Sequence, residues 1–150
     1  MTVSQRLRAV GSKLVSSARA DRIELVVAGT SPRISSLARA SLRLATFRPP
    51  AEPTPLVPAP HTLTLASLDD GIELRLVGLP LVPAYAPLWP LAMSHAIRVV
   101  QLDDAASPLL LETAALVGAR VVQADTIVPG FAEDDESMVA ELVIAAINPA

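Results

Sequence analysis

The apolar positions of this chain change their period several times, and each change marks an element. From Val3 to Ala18 the residues Val3, Leu7, Val10, Leu14 and Ala18 recur at spacings of three and four, so residues 1–20 read as an amphipathic helix. Arg6, Arg8, Lys13 and Arg19 occupy its other faces. Residues 22–28 (RIELVVA) are short, β-branched and mostly apolar and end at Gly29, which predicts a buried strand and a turn. Over 33–46, Ile34, Leu37, Ser41 and Leu44 share one side of a helix. Six of the 14 prolines then fall in PPAEPTPLVPAP, so residues 48–60 form an extended surface loop. HTLTLA (61–66) and IELRLV (72–77) nearly alternate, and the Asp70-Gly71 between them predicts a β-hairpin. The stretch 80–92 holds Trp89 and several prolines and leads into a short or broken helix.

Farther on, IRVVQL (97–102) is a buried strand closed by Asp103-Asp104, and SPLLLETAALV (107–117) is a helix that starts on Ser-Pro and stops at Gly118. ARVVQA (119–124) is the next strand. Residues 133–147 form a last helix whose first turn carries Glu133, Asp134, Asp135 and Glu136, where the helix dipole favours acid. Alternating strands and helices predict an α/β fold: three layers, a mostly parallel sheet with helices on both faces, and one antiparallel hairpin at its edge. The chain divides into an N-terminal helix, 1–20, and one α/β domain, 21–150, which is the size of a single domain.

Composition narrows the chemistry. With 51% hydrophobic residues the domain fills a core, but aromatic residues are only 3%, so that core is Ala, Val, Leu and Ile, and base-stacking platforms are excluded. The mean hydropathy is +0.47, yet no apolar run approaches the roughly 18 residues that span a bilayer. There is no cysteine, which removes disulfides and thiolate chemistry, and His61 and His95 lack metal-site spacing, so no metal or other cofactor is expected. The net charge of -3 hides a polarity: residues 1–50 sum to 9 - 2 = +7, residues 51–100 to 2 - 4 = -2, and residues 101–150 to 1 - 9 = -8. Such ends are either simply solvated or form opposed faces that steer association. The basic side chains are eleven Arg and one Lys, a coding bias of GC-rich bacteria.

In order and pattern, ELVVAGTSPRISSLARASL resembles the first strand, phosphate loop and first helix of Ras-like small GTPases. PLWPLAMSHAIRVVQLDD is similar to the segment after the second switch, and ARVVQAD to the strand that presents the guanine-reading motif. The resemblance covers roughly residues 20–147, with one helix-strand unit fewer near the C-terminus. It implies a P-loop fold whose motifs have degenerated. Against G-x-x-x-x-G-K-[ST], Gly29 matches the first glycine and Ser36 the final hydroxyl, but Ile34 and Ser35 stand for the second glycine and the lysine, and Pro32 removes an N–H. Lys13, the sole lysine, precedes the first strand. Leu76-Val77-Gly78-Leu79-Pro80 keeps neither the metal-side Asp nor the water-orienting Gln, and Val122-Gln123-Ala124-Asp125 keeps only the Asp of N-K-x-D.

The expectation is therefore a cytoplasmic pseudo-GTPase: no catalytic residue, no GTP hydrolysis, and a fold retained as an interaction scaffold. Residual nucleotide contact would fall on Gly29, Arg33, Ser36 and Asp125. A protein partner would meet Val3, Leu7, Val10, Leu14 and Trp89; it could be a true GTPase, its regulator, or a cytoskeletal or motility assembly. Residues 1–20 also suit a membrane-surface helix, although their apolar face has no aromatic anchor. A nucleotide-binding switch with atypical motifs and a receiver-like doubly wound domain are the competing readings; an acid pair at the end of the first strand would mark the receiver, and Ala28-Gly29 stands there. Serine hydrolase chemistry lacks its G-x-S-x-G elbow, and no nucleic-acid motif supports the basic first fifty residues.

Overall fold

The computed structural model describes residues 22–43, 47–48, 63–68, 73–94, 96–103 and 107–147. The N-terminal helix expected over 1–20, most of the proline-rich loop 48–60, the Asp70-Gly71 turn and both histidines lie outside the described residues. In chain order the elements are β1 (Arg22–Gly29), α1 (Ser31–Arg43), β2 (Phe47–Arg48), β3 (Leu63–Leu68) and β4 (Glu73–Pro80). A 3-10 helix (Pro83–Leu88) then runs into α2 (Trp89–Met93), followed by β5 (Ala96–Gln101) and α3 (Pro108–Val117). Last come β6 (Val121–Gln123), α4 (Ala124–Ile127) and α5 (Glu136–Ile147).

The heart of the fold is a four-stranded, all-parallel sheet in the order β4-β1-β5-β6. β1 lies inside it, and Leu25, Val26, Val27 and Ala28 are all fully buried. Successive residues point to opposite faces, so one unbroken apolar run serves two cores. Leu25 and Val27 pack with Ile34 and Leu37 of α1 and Val139 and Leu142 of α5 on one face. Val26 and Ala28 pack with Trp89 and Met93 of α2 and Leu110 and Ala114 of α3 on the other. Helices thus cover both faces, as the alternation of elements requires.

The expected edge hairpin over 61–77 needs correction. The run that begins near Ile72 is not an edge strand: β4 reaches Pro80 and pairs in parallel with β1 from Arg22↔Glu73 to Gly29↔Pro80. Its Leu76, Val77 and Leu79 are buried among both cores, and only a strand covered on two faces keeps such a run of apolar residues dry. β3 and β2 lie beyond β4, with Leu63↔Gly78 and Phe47↔Leu68 at the ends of their antiparallel registers.

The ends of α3 follow the sequence signals. The Ser107 hydroxyl accepts from the Leu110 N–H at 3.3 Å, Pro108 opens the helix, and Gly118 closes it at φ 72°. The last helix starts later than expected, at Glu136, because Asp135 acts as its cap, its carboxylate accepting from the Ser137 N–H at 2.9 Å. The segment between α4 and α5 folds back on the sheet and half-buries Phe131 against the first core.

Candidate functional site

Parallel α/β sheets present their chemistry at the carboxyl ends of the strands, where the order of connections reverses. Here that reversal falls at β1, whose neighbours β4 and β5 follow it through helices on opposite faces. Its link to α1 is one residue, Thr30. Ile34 N–H already donates to Thr30 C=O at 3.0 Å, so the helix is under way at once. The phosphate loop expected over 29–36 is therefore not formed: Ile34, Ser35 and Ser36 are helical, and no length of backbone remains to wrap an anion. Helical periodicity explains the difference, since Ile34, Leu37 and Ala40 bury one continuous face that extends to the first turn.

Gly29 has a packing reason. A Cβ added there would stand 3.1 Å from Leu102 Cβ and 3.2 Å from its Cδ1, so the strand end is glycine because Leu102 presses on it. The last two carbonyls of β1 are used as well: Ala28 C=O accepts from Leu102 N–H and Gly29 C=O from Leu81 N–H, each at 2.8 Å.

Arg33 occupies the centre of this end. Its Nε and Nη2 donate to the two carboxylate oxygens of Glu133 at 3.0 and 3.1 Å, and its Nη1 donates to Leu102 C=O at 2.5 Å and to Asp103 Oδ1 at 3.2 Å. The planar fork and its in-plane donors suit such a bidentate grip. The Glu133 carboxyl is held below the ordinary glutamate range, chiefly by the hydrogen bond from Arg33, and Arg33 is raised in turn, chiefly by that same bond. At the far end of α1, Arg43 repeats the theme with the Glu136 carboxylate and Asp134 C=O. Arg33 and Arg43 thus bind α1 to the acidic segment that leads into α5, Glu133 to Glu136, and part of the charge polarity along the chain closes on itself.

The remaining candidates do not converge. Ser36, in the second turn of α1, accepts from Arg39 Nη2 at 3.3 Å on the surface. Asp125 is exposed in α4, where its carboxylate accepts from Gly130 N–H at 3.0 Å and so fixes a turn at φ 73°. Trp89, expected at a partner surface, is 1% exposed and belongs to the second core; its size makes it the filler between α2 and the sheet. Glu133 and Asp103 were not singled out as site residues by the sequence, because each reads locally as an ordinary acid at an element end. The one signal that could have found them is the charge polarity itself. Among the described residues no cluster of three metal-ligating side chains occurs, and no helix is long and apolar enough to cross a membrane. No protein-family model, curated protein or solved structure matches the chain.

Proposed function

We propose that this chain is a non-catalytic interaction module built on a small-GTPase-like scaffold, a pseudo-GTPase acting through a protein partner in the cytoplasm. The observation that carries this reading is the filled carboxyl end of the sheet. A one-residue link replaces the loop that would cradle phosphate, and the Arg33 guanidinium is engaged by Glu133, Asp103 and Leu102. The succession of elements supports the scaffold, with α1 and α5 on one face of the parallel sheet and α2 and α3 on the other. The ends of the parallel strands carry Gly29, Pro80, Gln101 and Gln123, so the acid pair of a receiver has no counterpart there.

A switch with atypical motifs would need Arg33 at phosphate and Asp125 at the base, and both side chains already serve internal bonds. Calorimetric titration with GDP and GTP plus Mg²⁺ separates the two readings: the pseudo-GTPase gives no saturable heat and no hydrolysis above background. Saturable binding that disappears in Asp125→Ala, or turnover that disappears in Ser36→Ala, would establish the switch instead.

A further inference from the structure

The chain between α4 and α5 has no regular element, yet it holds Glu133 against Arg33. Backbone bonds fasten it on both sides of that residue: Phe131 N–H donates to Val128 C=O at 3.0 Å, and Asp135 N–H to Ala132 C=O at 3.3 Å. The Ala132 N–H, one residue before Glu133, has a different kind of acceptor, the Met138 thioether Sδ at 3.2 Å. A thioether is a weak acceptor and, unlike a carbonyl, it can be oxidised. Met138 lies in the first turn of α5 and is half-buried, whereas Met93, the other methionine among the described residues, is 1% exposed inside the second core. The chain has no cysteine that would react first.

We propose that Met138 is an oxidation site for peroxides and that its sulfoxide loosens the hold of Glu133 on Arg33. In the step, a sulfur lone pair attacks one peroxide oxygen, the S–O bond forms as the O–O bond breaks, and the other oxygen leaves as water with both protons. Sulfur gives up an electron pair and the peroxide is reduced. The product cannot keep the present contact. An N–H···O bond spans about 2.7–3.2 Å, and the larger sulfur already stands at 3.2 Å, so an oxygen does not fit between it and the amide. Oxygen on the other lone pair leaves a sulfur drained of electron density, and the Ala132 N–H loses its acceptor. In both cases residues 131–133 shift against α5. The two parallel bonds from Arg33 to Glu133, at 3.0 and 3.1 Å, tolerate little displacement, because fork and carboxylate must stay aligned. A sulfoxide reductase with a dithiol reverses the step: the S–O bond breaks, its oxygen leaves as water and the dithiol becomes a disulfide.

Peptide mapping of the folded protein after treatment with hydrogen peroxide gives the first reading: Met138 is expected to gain oxygen about tenfold faster than Met93, following their exposure. Equal rates would overturn the proposal. Amide exchange gives the second. After oxidation the amides from Ala132 to Asp135 should exchange about tenfold faster, and sulfoxide reductases for both epimers with dithiothreitol should restore the original rate. Met138→Leu, with no sulfur to oxidise, should keep its exchange rates at the same peroxide dose. The link to Arg33 is read from urea unfolding. Oxidation should lower the midpoint of the wild type and shift that of Arg33→Ala much less, because the bond it weakens is already gone there. Unchanged exchange in protein oxidised at Met138, the same acceleration in Met138→Leu, or an equal midpoint shift with and without Arg33 would each overturn the assignment.

Discussion

Removing the Arg33 guanidinium would strand three acceptors at once: the Glu133 carboxylate, the Asp103 carboxylate and the Leu102 carbonyl. The pair is only 28% and 21% exposed, so water replaces these bonds incompletely, and Arg33→Ala should cost about 1–2 kcal/mol, read as a lower urea midpoint at unchanged slope. Arg33→Lys should recover little, because an ammonium cannot reproduce the two parallel bonds to one carboxylate. The pH dependence has a definite sign. The folded Glu133 pKa lies below its unfolded value, so its contribution is complete above the ordinary glutamate range and is lost as pH falls through the folded value. The stability gap between wild type and Glu133→Gln should be constant near neutrality and close in acid. A gap that survives at pH 2 would show that the ion pair is not its source. Gly29→Ala should lower the melting temperature by the equivalent of about 1–2 kcal/mol, because its Cβ displaces Leu102. Trp89 is the only tryptophan, so emission reports its site alone: it should be blue-shifted and resist iodide quenching.

At the scale of elements, the two ends of α3 carry separable terms. Ser107→Ala removes a side-chain cap and should cost about 1 kcal/mol. Gly118→Ala should cost a similar amount for a different reason: nothing stands within 4 Å of the added Cβ, so the penalty is that of the left-handed backbone alone. Thermal denaturation of the two variants and their double mutant should show near-additive losses, since the sites lie at opposite ends of the helix. These caps are also why α3 could be read from the sequence to within a residue, as could β1 and β5, whose apolar runs stop at Gly29 and at Asp103. β4 was harder. IELRLV alternates well enough to suggest a half-exposed strand, and only the parallel pairing with β1 reveals that both of its faces are buried. The short α4 was hidden for a related reason, because Val-Val-Gln-Ala-Asp carries β-branched residues into a helix of four residues with no capping side chain. The candidate site was the least legible part. Gly29 and Ser36 fit a motif by spacing, whereas the contacts of Arg33 depend on residues 70 and 100 positions away, which no local pattern encodes.

Over the whole molecule, that sequence separation has a kinetic meaning. The Arg33–Glu133 bond spans 100 positions and the Arg43–Glu136 bond 93, so each fastens the beginning of the described chain to its end. Neither can form until the sheet has ordered the intervening strands, and the loop-closure entropy of that ordering must be met first. Contacts that form late are absent from the transition state and act on unfolding alone. In stopped-flow measurements, Arg33→Ala should leave the refolding limb where it is and raise the unfolding limb by roughly five- to thirtyfold, the whole of its loss in stability. Proteases and cells that sample rare openings would then meet a chain whose persistence is set by two arginine latches: the carboxyl end of the sheet, where the phosphate loop is not formed, would govern how long the fold lasts.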